Sequence, residues 1–474
     1  MRMFVGFWAL LLCTQALLLG TQALAAETLQ VGAARVDSTP TVLPACVNGG
    51  FFPQYIDKVH DPLHVRALVV DNGIECVAIA TADVCIIPEE VTDEAKKRIA
   101  AKIPALRPDR IAISSTHCHS APALITLLGV KADENYVPLF IDRVVDAVTQ
   151  AYANRTEAEF GWGADYDPKN VFCRRFLMKP GTAWTQDTDF TGSKGDQAQM
   201  NPGANIDKAV RRTGQPDPTV SVLYFRRVQD GKPLALLANY STHYAGAPDI
   251  SADYFGVFAK EMAGLLEADD HFVAMMTNGT SGDTNCIDFY DSQRRFSMDT
   301  VGRSTAEAAK RACDKMQFVR WVPLQMQEEL LEIGVRKGTP AQVEKARKHL
   351  AALADVGKQP QTLDDVYALG TVIMNDWPNT KKLRLQAIRL GDVGIALLPN
   401  ETYSFTGTEI RRESPMPMTF TIGLANGYAG YLPPPDQFEL GGYTTWRTMS
   451  SYCEIGAEPK IRSKLLEMLH AVRK

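Results

Sequence analysis

The apolar positions of the chain form short runs that predict strands, separated by longer amphipathic stretches that predict helices. The helices are expected at 88–103, 137–153, 255–268, 300–316, 340–354 and 465–472. The strands are expected at 29–36, 64–70, 75–82, 110–113, 220–226, 234–240, 272–276, 324–335, 382–390, 393–398 and 419–425. This order, with no convincing internal repeat or linker, predicts one large α/β unit with sheets and helices in layers.

The stretch 161–217 breaks this pattern. It is rich in Gly, Pro, Asn, Asp and Thr, and within it Arg174 and Arg175 lie between aromatic residues. A long irregular segment in a compact domain is usually functional or inserted. We therefore expect it to form a loop wall beside a site or an insertion.

Polar residues follow the ends of several predicted strands. They are His117, His119, His243, Asp283, Glu401 and Tyr431. Folds of the α/β class build their sites from side chains at the ends of different strands. A purely structural protein does not explain so many polar strand ends.

The His117-Cys118-His119 triplet follows the buried run 110–113. On a strand, residues i and i+2 point to the same side, so the two imidazoles are expected to project together. Neutral imidazole is the commonest protein ligand for zinc. The alternative is that the histidines only form hydrogen bonds inside a core. Cys118 should point to the opposite face and pack.

Composition narrows the class of partner. The chain has 474 residues, a formal net charge of -5 and no long basic block, which argues against nucleic acid as the main partner. The eight cysteines after Cys13 form no C-x-x-C pair, which argues against a structural zinc knuckle. Cys76 and Cys85 lie in apolar runs and are expected to be buried thiols.

The first residues predict export. Arg2 precedes an apolar run over 4–19 and an Ala-rich end, a pattern typical of a secretory signal peptide over 1–25. An uncleaved anchor is the alternative, although the run is short for a membrane span. We expect a secreted or periplasmic protein with no transmembrane segment after cleavage.

At these same motifs the sequence resembles the neutral/alkaline (non-lysosomal) ceramidase family, over its catalytic domain and without the C-terminal immunoglobulin-like domain. The resemblance is carried by Thr116-His117-Cys118-His119-Ser120, the strand ending at His243, Gly282-Asp283, Leu398-Pro399-Asn400-Glu401 and Asn426-Gly427-Tyr428-Ala429-Gly430-Tyr431. It implies that 26–474 form a single zinc hydrolase domain with a layered mixed-sheet α/β core and flanking helices.

The resemblance also implies the roles of individual residues. Zn²⁺ would be held by His117, His243, Glu401 and Tyr431. His119 would lie beside the metal as a catalytic hydrogen-bonding group, and Arg174 would line the substrate pocket. Asn285 stands where the family has its proposed catalytic serine.

The mechanism expected from these residues is hydrolysis of an amide (N-acyl) bond by metal-activated water. Asp283 could orient a metal ligand or accept a proton. Asn285 could donate a hydrogen bond to an oxyanion but cannot act as a nucleophile. His119 would stabilise the oxyanion or transfer a proton.

Two other functions remain open from the sequence. A zinc hydrolase of the same fold could act on an ester or a carbohydrate, and Arg174, Arg175, Trp162 and Trp184 would suit a polar or sugar-like ligand. A non-catalytic binding protein would keep the pocket without turnover, and the absence of the serine favours it. The expected partner is therefore a small-molecule, lipid or glycan substrate.

Overall fold

The computed structural model describes residues 28–355 and 360–474, so the predicted signal peptide lies outside the described residues. The α-helices of the described part are α1 Glu89–Lys102, α2 Tyr136–Ala153, α3 Thr188–Thr191, α4 Asp253–Leu265, α5 Met298–Cys313, α6 Pro340–Asp355, α7 Leu363–Asn375, α8 Ser404–Glu413, α9 Pro435–Leu440 and α10 Ala457–Arg473. In this part of the chain, no helix combines the length and the apolar character that a bilayer span needs.

The strands belong to two main sheets and several short pairs. They are β1 Leu29–Asp37, β2 Ala45–Val47, β3 Gln54–Ile56, β4 His64–Asp71, β5 Cys76–Ala82, β6 Ile111–Ser115, β7 Thr156–Tyr166, β8 Phe172–Cys173, β9 Arg175–Met178, β10 Ala198–Met200, β11 Ala209–Arg212, β12 Thr219–Arg227, β13 Pro233–Tyr240, β14 Val273–Asn278, β15 Thr284–Asn285, β16 Leu324–Gly334, β17 Thr380–Leu390, β18 Val393–Leu397, β19 Glu401–Thr402, β20 Met418–Ile422 and β21 Tyr431–Leu432.

Both main sheets are mixed. The larger has eight strands in the order β14-β13-β12-β7-β1-β4-β5-β6, and its β13/β14 and β5/β6 pairs are parallel. The smaller has the order β16-β17-β18-β20, with β18 and β20 parallel. The prediction of an α/β fold with layered mixed sheets is confirmed.

Side-chain alternation along the strands divides the core into layers. In β4, Val65 and Val69 lie on the face that packs against α2, whereas Leu68 and Val70 face the smaller sheet. In β17, Ile388 faces the larger sheet, and the opposite face packs on α10. The architecture is therefore helix, sheet, sheet, helix.

The prediction that the chain is irregular from 161 onwards is wrong at its start. β7 runs through Gly161 and Gly163 in the middle of the larger sheet, between β12 and β1. A Cβ atom at Gly161 would lie 3.0 Å from the ring of Phe318. This glycine makes room for close packing, whereas the sequence analysis placed it at the start of an irregular segment.

A crossing segment over 423–429 joins the two sheets at one end. Gly423 N donates to Asn278 O, and Asn426 N donates to Ile113 O, so the segment contacts both edge strands of the larger sheet. Ala429 N donates to Pro399 O, just beyond β18 of the smaller sheet. The strand ends that carry the predicted site residues are thereby brought together.

A buried ion pair supports the strand end below this site. Arg66 Nη1 lies 2.7 Å from Asp83 Oδ2, and both side chains are almost fully buried. The residues after Asp83 are Val84, whose carbonyl accepts from His117 N, and Cys85, whose carbonyl accepts from the His117 ring. The ion pair therefore holds in place the chain next to Val84 and Cys85, whose carbonyls bind His117.

Asp83→Ala is expected to lower the free energy of unfolding by about 3–5 kcal/mol, because it leaves Arg66 as an uncompensated buried charge. Urea denaturation followed by circular dichroism measures this change. Glu94→Ala is the control, since Glu94 pairs with Arg98 on the surface and its removal should change little. Equally small changes in both variants would contradict the role of Asp83.

Candidate metal centre

Three ligand atoms converge where the larger sheet meets the smaller one. His117 Nε2 lies 3.1 Å from His243 Nε2 and 3.2 Å from Glu401 Oε2. The distance from His243 Nε2 to Glu401 Oε2 is 3.7 Å. All three side chains are buried. The structure thus brings together residues that are far apart in the sequence.

The hydrogen bonds of the two imidazoles fix their tautomers. His117 Nδ1 lies 2.8 Å from Cys85 O, and His243 Nδ1 lies 2.9 Å from Ser281 O. A carbonyl only accepts, so each Nδ1 carries the proton and each Nε2 presents a lone pair. Two lone pairs that face each other at 3.1 Å repel unless a cation lies between them.

Among the described residues, one carboxylate oxygen of Glu401 accepts a hydrogen bond and the other accepts none. Its Oε1 accepts a hydrogen bond of 2.9 Å from Tyr428 Oη, whereas its buried Oε2 has no hydrogen-bond partner among the described residues. Burial acts to raise the pKa of Glu401, but the charge of His117 in its protonated form and the hydroxyls of Tyr431 and Tyr428 outweigh it and lower the pKa. The free oxygen of an ionised carboxylate therefore lies beside the two imidazole lone pairs, and three electron-pair donors face one point.

The donor set fits a zinc ion. Tetrahedral ligands at about 2.0–2.1 Å from zinc lie roughly 3.3 Å from one another. The three separations of 3.1, 3.2 and 3.7 Å match this spacing. Imidazole nitrogens hydrogen-bonded through Nδ1 to carbonyl oxygens, together with one carboxylate, are typical of such centres. These residues could hold a metal ion.

The backbone conformation at His117 differs from the one that the sequence predicts. β6 ends at Ser115, and His117 has a φ of 70°, in the left-handed region that non-glycine residues rarely adopt. The expected strand geometry of the His-x-His triplet is therefore wrong, although the two rings do converge. Strained backbone of this kind occurs preferentially at functional sites. Cys118 is fully buried in the core, as expected.

Tyr431 and Arg174 border the same centre. β19 and β21 pair in parallel with Glu401 opposite Tyr431, which places the phenol beside the carboxylate. Arg174 Nη2 lies 3.3 Å from Tyr431 Oη, 3.0 Å from Gly282 O and 3.2 Å from His243 Nε2. The guanidinium thus faces the His243 lone pair, and a cation bound there would replace that one contact. Burial and Glu401 raise the pKa of Tyr431 well above its usual value.

His119 lies at the edge of the centre. Its Nε2 is 3.3 Å from His117 Nε2, and its ring stacks on Tyr244 with centroids 3.8 Å apart. Burial, His117 and Arg174 lower the pKa of His119 well below its usual value. Gly49 packs against the ring so closely that a Cβ there would lie 2.2 Å from Nδ1. His119 is therefore a neutral, firmly held imidazole.

A cavity of about 220 Å³ opens beside His119. Its lining includes Gly49, Phe52 and Tyr244. Part of the His119 side chain is accessible from it, whereas His117 and His243 are buried. A substrate would therefore approach the centre from the side of His119.

Asp283 and Asn285 support the loops around the centre. Asp283 Oδ1 accepts from Ser404 N at 2.8 Å and from Ser404 Oγ at 3.1 Å, while its main-chain carbonyl accepts from Arg174 N. Asn285 Nδ2 donates to Asn201 Oδ1, and its Oδ1 accepts from Ile287 N. These contacts position α8 and the backbone of Arg174. The catalytic roles expected of Asp283 and Asn285 stay predictions.

The sequence analysis grouped Arg174, Arg175, Trp162 and Trp184 as residues suited to a polar or sugar-like ligand. In the structure these residues do not form one site. Arg175 is buried and donates to Gln437. The Trp162 ring stacks on Phe160 in β7, and Trp184 lies against Trp446. Only Arg174 of this set contacts the candidate ligands.

Sequence reasoning missed two tyrosines of the centre. Tyr428 donates to Glu401, and Tyr443 packs edge-on against Tyr431 with centroids 5.5 Å apart. Burial and Glu401 raise the pKa of Tyr443 above its usual value. Tyr428 lies within the motif that supplied Tyr431, so its proximity to the ligands was a usable signal. For Tyr443 the sequence offers no comparable motif.

Solved structures of ceramidases share this architecture. The neutral ceramidase from Pseudomonas aeruginosa superimposes with a TM-score of 0.71 at 17% identity, covering 94% of this chain and 75% of that chain. The chain has the neutral ceramidase fold. A second structure, of ceramidase complexed with C2, gives a TM-score of 0.70 at 15% identity, with the same coverage.

No protein-family model matches the sequence, and no curated protein matches it. The structural likeness confirms the expected layered core and the resemblance at the level of the fold.

Proposed function

We propose that this protein is an exported, zinc-dependent hydrolase that cleaves the amide bond of an N-acyl substrate, as ceramidases do. One observation carries the proposal: two imidazole lone pairs and one unpartnered carboxylate oxygen converge at zinc-ligand spacing inside a ceramidase fold. Export rests on the N-terminal sequence alone.

The division of roles follows from the contacts. His117, His243 and Glu401 would hold the ion, with Tyr431 Oη beside them as the fourth group. A bound zinc ion supplies Lewis acidity and lowers the pKa of a coordinated water to about 7. Tyr428 holds Glu401 by its hydrogen bond to Oε1 and so leaves Oε2 directed at the ion.

The remaining groups act on the substrate. His119 lies beside the ligands and is accessible from the cavity, so its ring can accept a proton from water and return it to the leaving amine. Arg174 is a buried permanent cation next to the ligands, suited to stabilising negative charge on the carbonyl oxygen. Asn285 carries no nucleophilic group, so the attacking group in this proposal is water.

A substrate panel tests the proposal. Zinc-loaded protein is expected to release the amine from an N-acylsphingosine, and protein treated with a chelator should release none until zinc is returned. The panel includes the matched fatty-acid ester and a glycan of similar size. Cleavage of the ester or glycan without the amide would overturn the proposed bond, and zinc binding without any turnover would favour a binding protein.

A further inference from the structure

One buried amide contacts both loops that carry the histidine ligands. Asn278 ends β14 and is 1% exposed. Its Nδ2 donates to Thr116 O at 3.2 Å and to Thr242 O at 3.4 Å. These two carbonyls belong to the residues directly before His117 and His243. We infer that Asn278 is a positioning residue that sets the separation of the two imidazoles, an inference that rests on the proposed metal centre.

The topology explains why a side chain is needed here. β6 and β14 are the two edge strands of the larger sheet, which curls so that they approach each other. His117 follows β6 at one edge, and His243 follows β13, the neighbour of β14 at the other edge. No ladder between β6 and β14 is present in the described sheet. The spacing of the two loops therefore depends on contacts that bridge the edges.

Asn278 also contributes to the orientation of one ring. Its Oδ1 accepts from Ser281 Oγ at 2.7 Å, and Ser281 O accepts from His243 Nδ1 at 2.9 Å. Its main-chain carbonyl accepts from Gly423 N in the crossing segment. A single residue thus links both histidine loops, the Ser281 loop and the segment that leads to Tyr428.

Asn278→Asp tests this role because it keeps the shape and removes both donors. A carboxylate oxygen would then face the Thr116 and Thr242 carbonyls and push the two loops apart. We expect the dissociation constant for zinc, measured by competition with a chromophoric chelator, to rise by about 10–100-fold, as loss of a group that orients a ligand does elsewhere. The visible absorption spectrum of the cobalt-substituted protein should also change.

Asn239→Asp is the matched control. Asn239 is 4% exposed and lies on the neighbouring strand β13. Its Nδ2 also donates twice, to Thr277 Oγ1 at 3.0 Å and to Thr421 O at 3.1 Å, but neither acceptor lies on a histidine loop. The control should keep the wild-type dissociation constant and cobalt spectrum even where its thermal stability falls.

A second measurement is independent of the metal and of turnover. In metal-free protein, amide hydrogen exchange of Ser115 and His117 should be at least about tenfold faster in Asn278→Asp than in Asn239→Asp. If Asn278→Asp does not fold, Asn278→Ser replaces it, since its hydroxyl is too short to span both carbonyls. A wild-type protein without zinc would refute the proposed function and leave the exchange data to decide this inference. Equal zinc affinity and equal exchange in the Asn278 and Asn239 variants would overturn it.

Discussion

Glu401→Gln and His243→Ala are each expected to abolish zinc binding and, with it, hydrolysis. Wild-type protein should carry about one zinc per chain, because His117, His243 and Glu401 direct their ligand atoms at one point. Each variant removes one of the converging atoms, and the loss of affinity should exceed the roughly 10–100-fold that loss of an outer hydrogen-bonding partner costs. Inductively coupled plasma mass spectrometry of protein dialysed against a weak chelator measures the content.

Thermal unfolding gives a second readout of the same prediction. Zinc that binds only the folded protein stabilises it, by about 4 kcal/mol when its free concentration is 1,000 times its dissociation constant. A strong chelator should therefore lower the melting temperature of the wild type and leave that of both variants unchanged. In Glu401→Gln the metal-free protein should not be less stable than the metal-free wild type, since an unpartnered buried carboxylate oxygen is removed.

Matched variants exclude a general effect of losing a buried carboxylate or a histidine. Glu458 is 1% exposed and bonds to Thr406 and Arg462, and His349 pairs with Asp365. Glu458→Gln and His349→Ala should keep the full zinc content. Wild-type protein that holds no zinc even after zinc is added back would refute the metal centre and favour a binding protein.

His119→Ala is expected to retain zinc but to lose turnover. A positioned general acid–base group contributes about 10²–10⁴-fold to rate, so kcat should fall by that factor while zinc content stays at the wild-type level. The reason is geometric: His119 Nε2 lies 3.3 Å from His117 Nε2 and is accessible from the cavity, whereas the Glu401 carboxylate lies on the buried side.

Tyr244→Phe is the control for His119→Ala. Tyr244→Phe keeps the ring stacked on His119 and should keep most of the activity. Cys85, His117 and His119 also form a group whose ligand atoms lie within 4.8 Å of one another. Loss of zinc in both His119→Ala and Cys85→Ser would place the ion in that group and make His119 a ligand.

Much of the fold could be predicted from the sequence because most elements carry their own local signal. The hairpin of β4 and β5 follows from two apolar runs around Asn72-Gly73, and α2 from its period of apolar residues. The central strand β7 escaped prediction because Gly161 and Gly163 resemble turn residues. Their small size serves packing against Phe318 and Met316, which lie more than a hundred residues later.

The candidate site, too, was predicted from the sequence only in part. The ends of predicted strands singled out His117, His243, Glu401 and Tyr431 as polar residues, and the resemblance to the ceramidase motifs implied that they hold a metal ion. Only the tertiary structure decided that their ligand atoms converge, that each Nδ1 is engaged by a carbonyl, and that Asp283 bonds to Ser404. Residue types and short-range periodicity are local properties that a sequence records. The distance between two strand ends depends on how the sheets curl and cross, which is settled by packing among residues far apart in the chain.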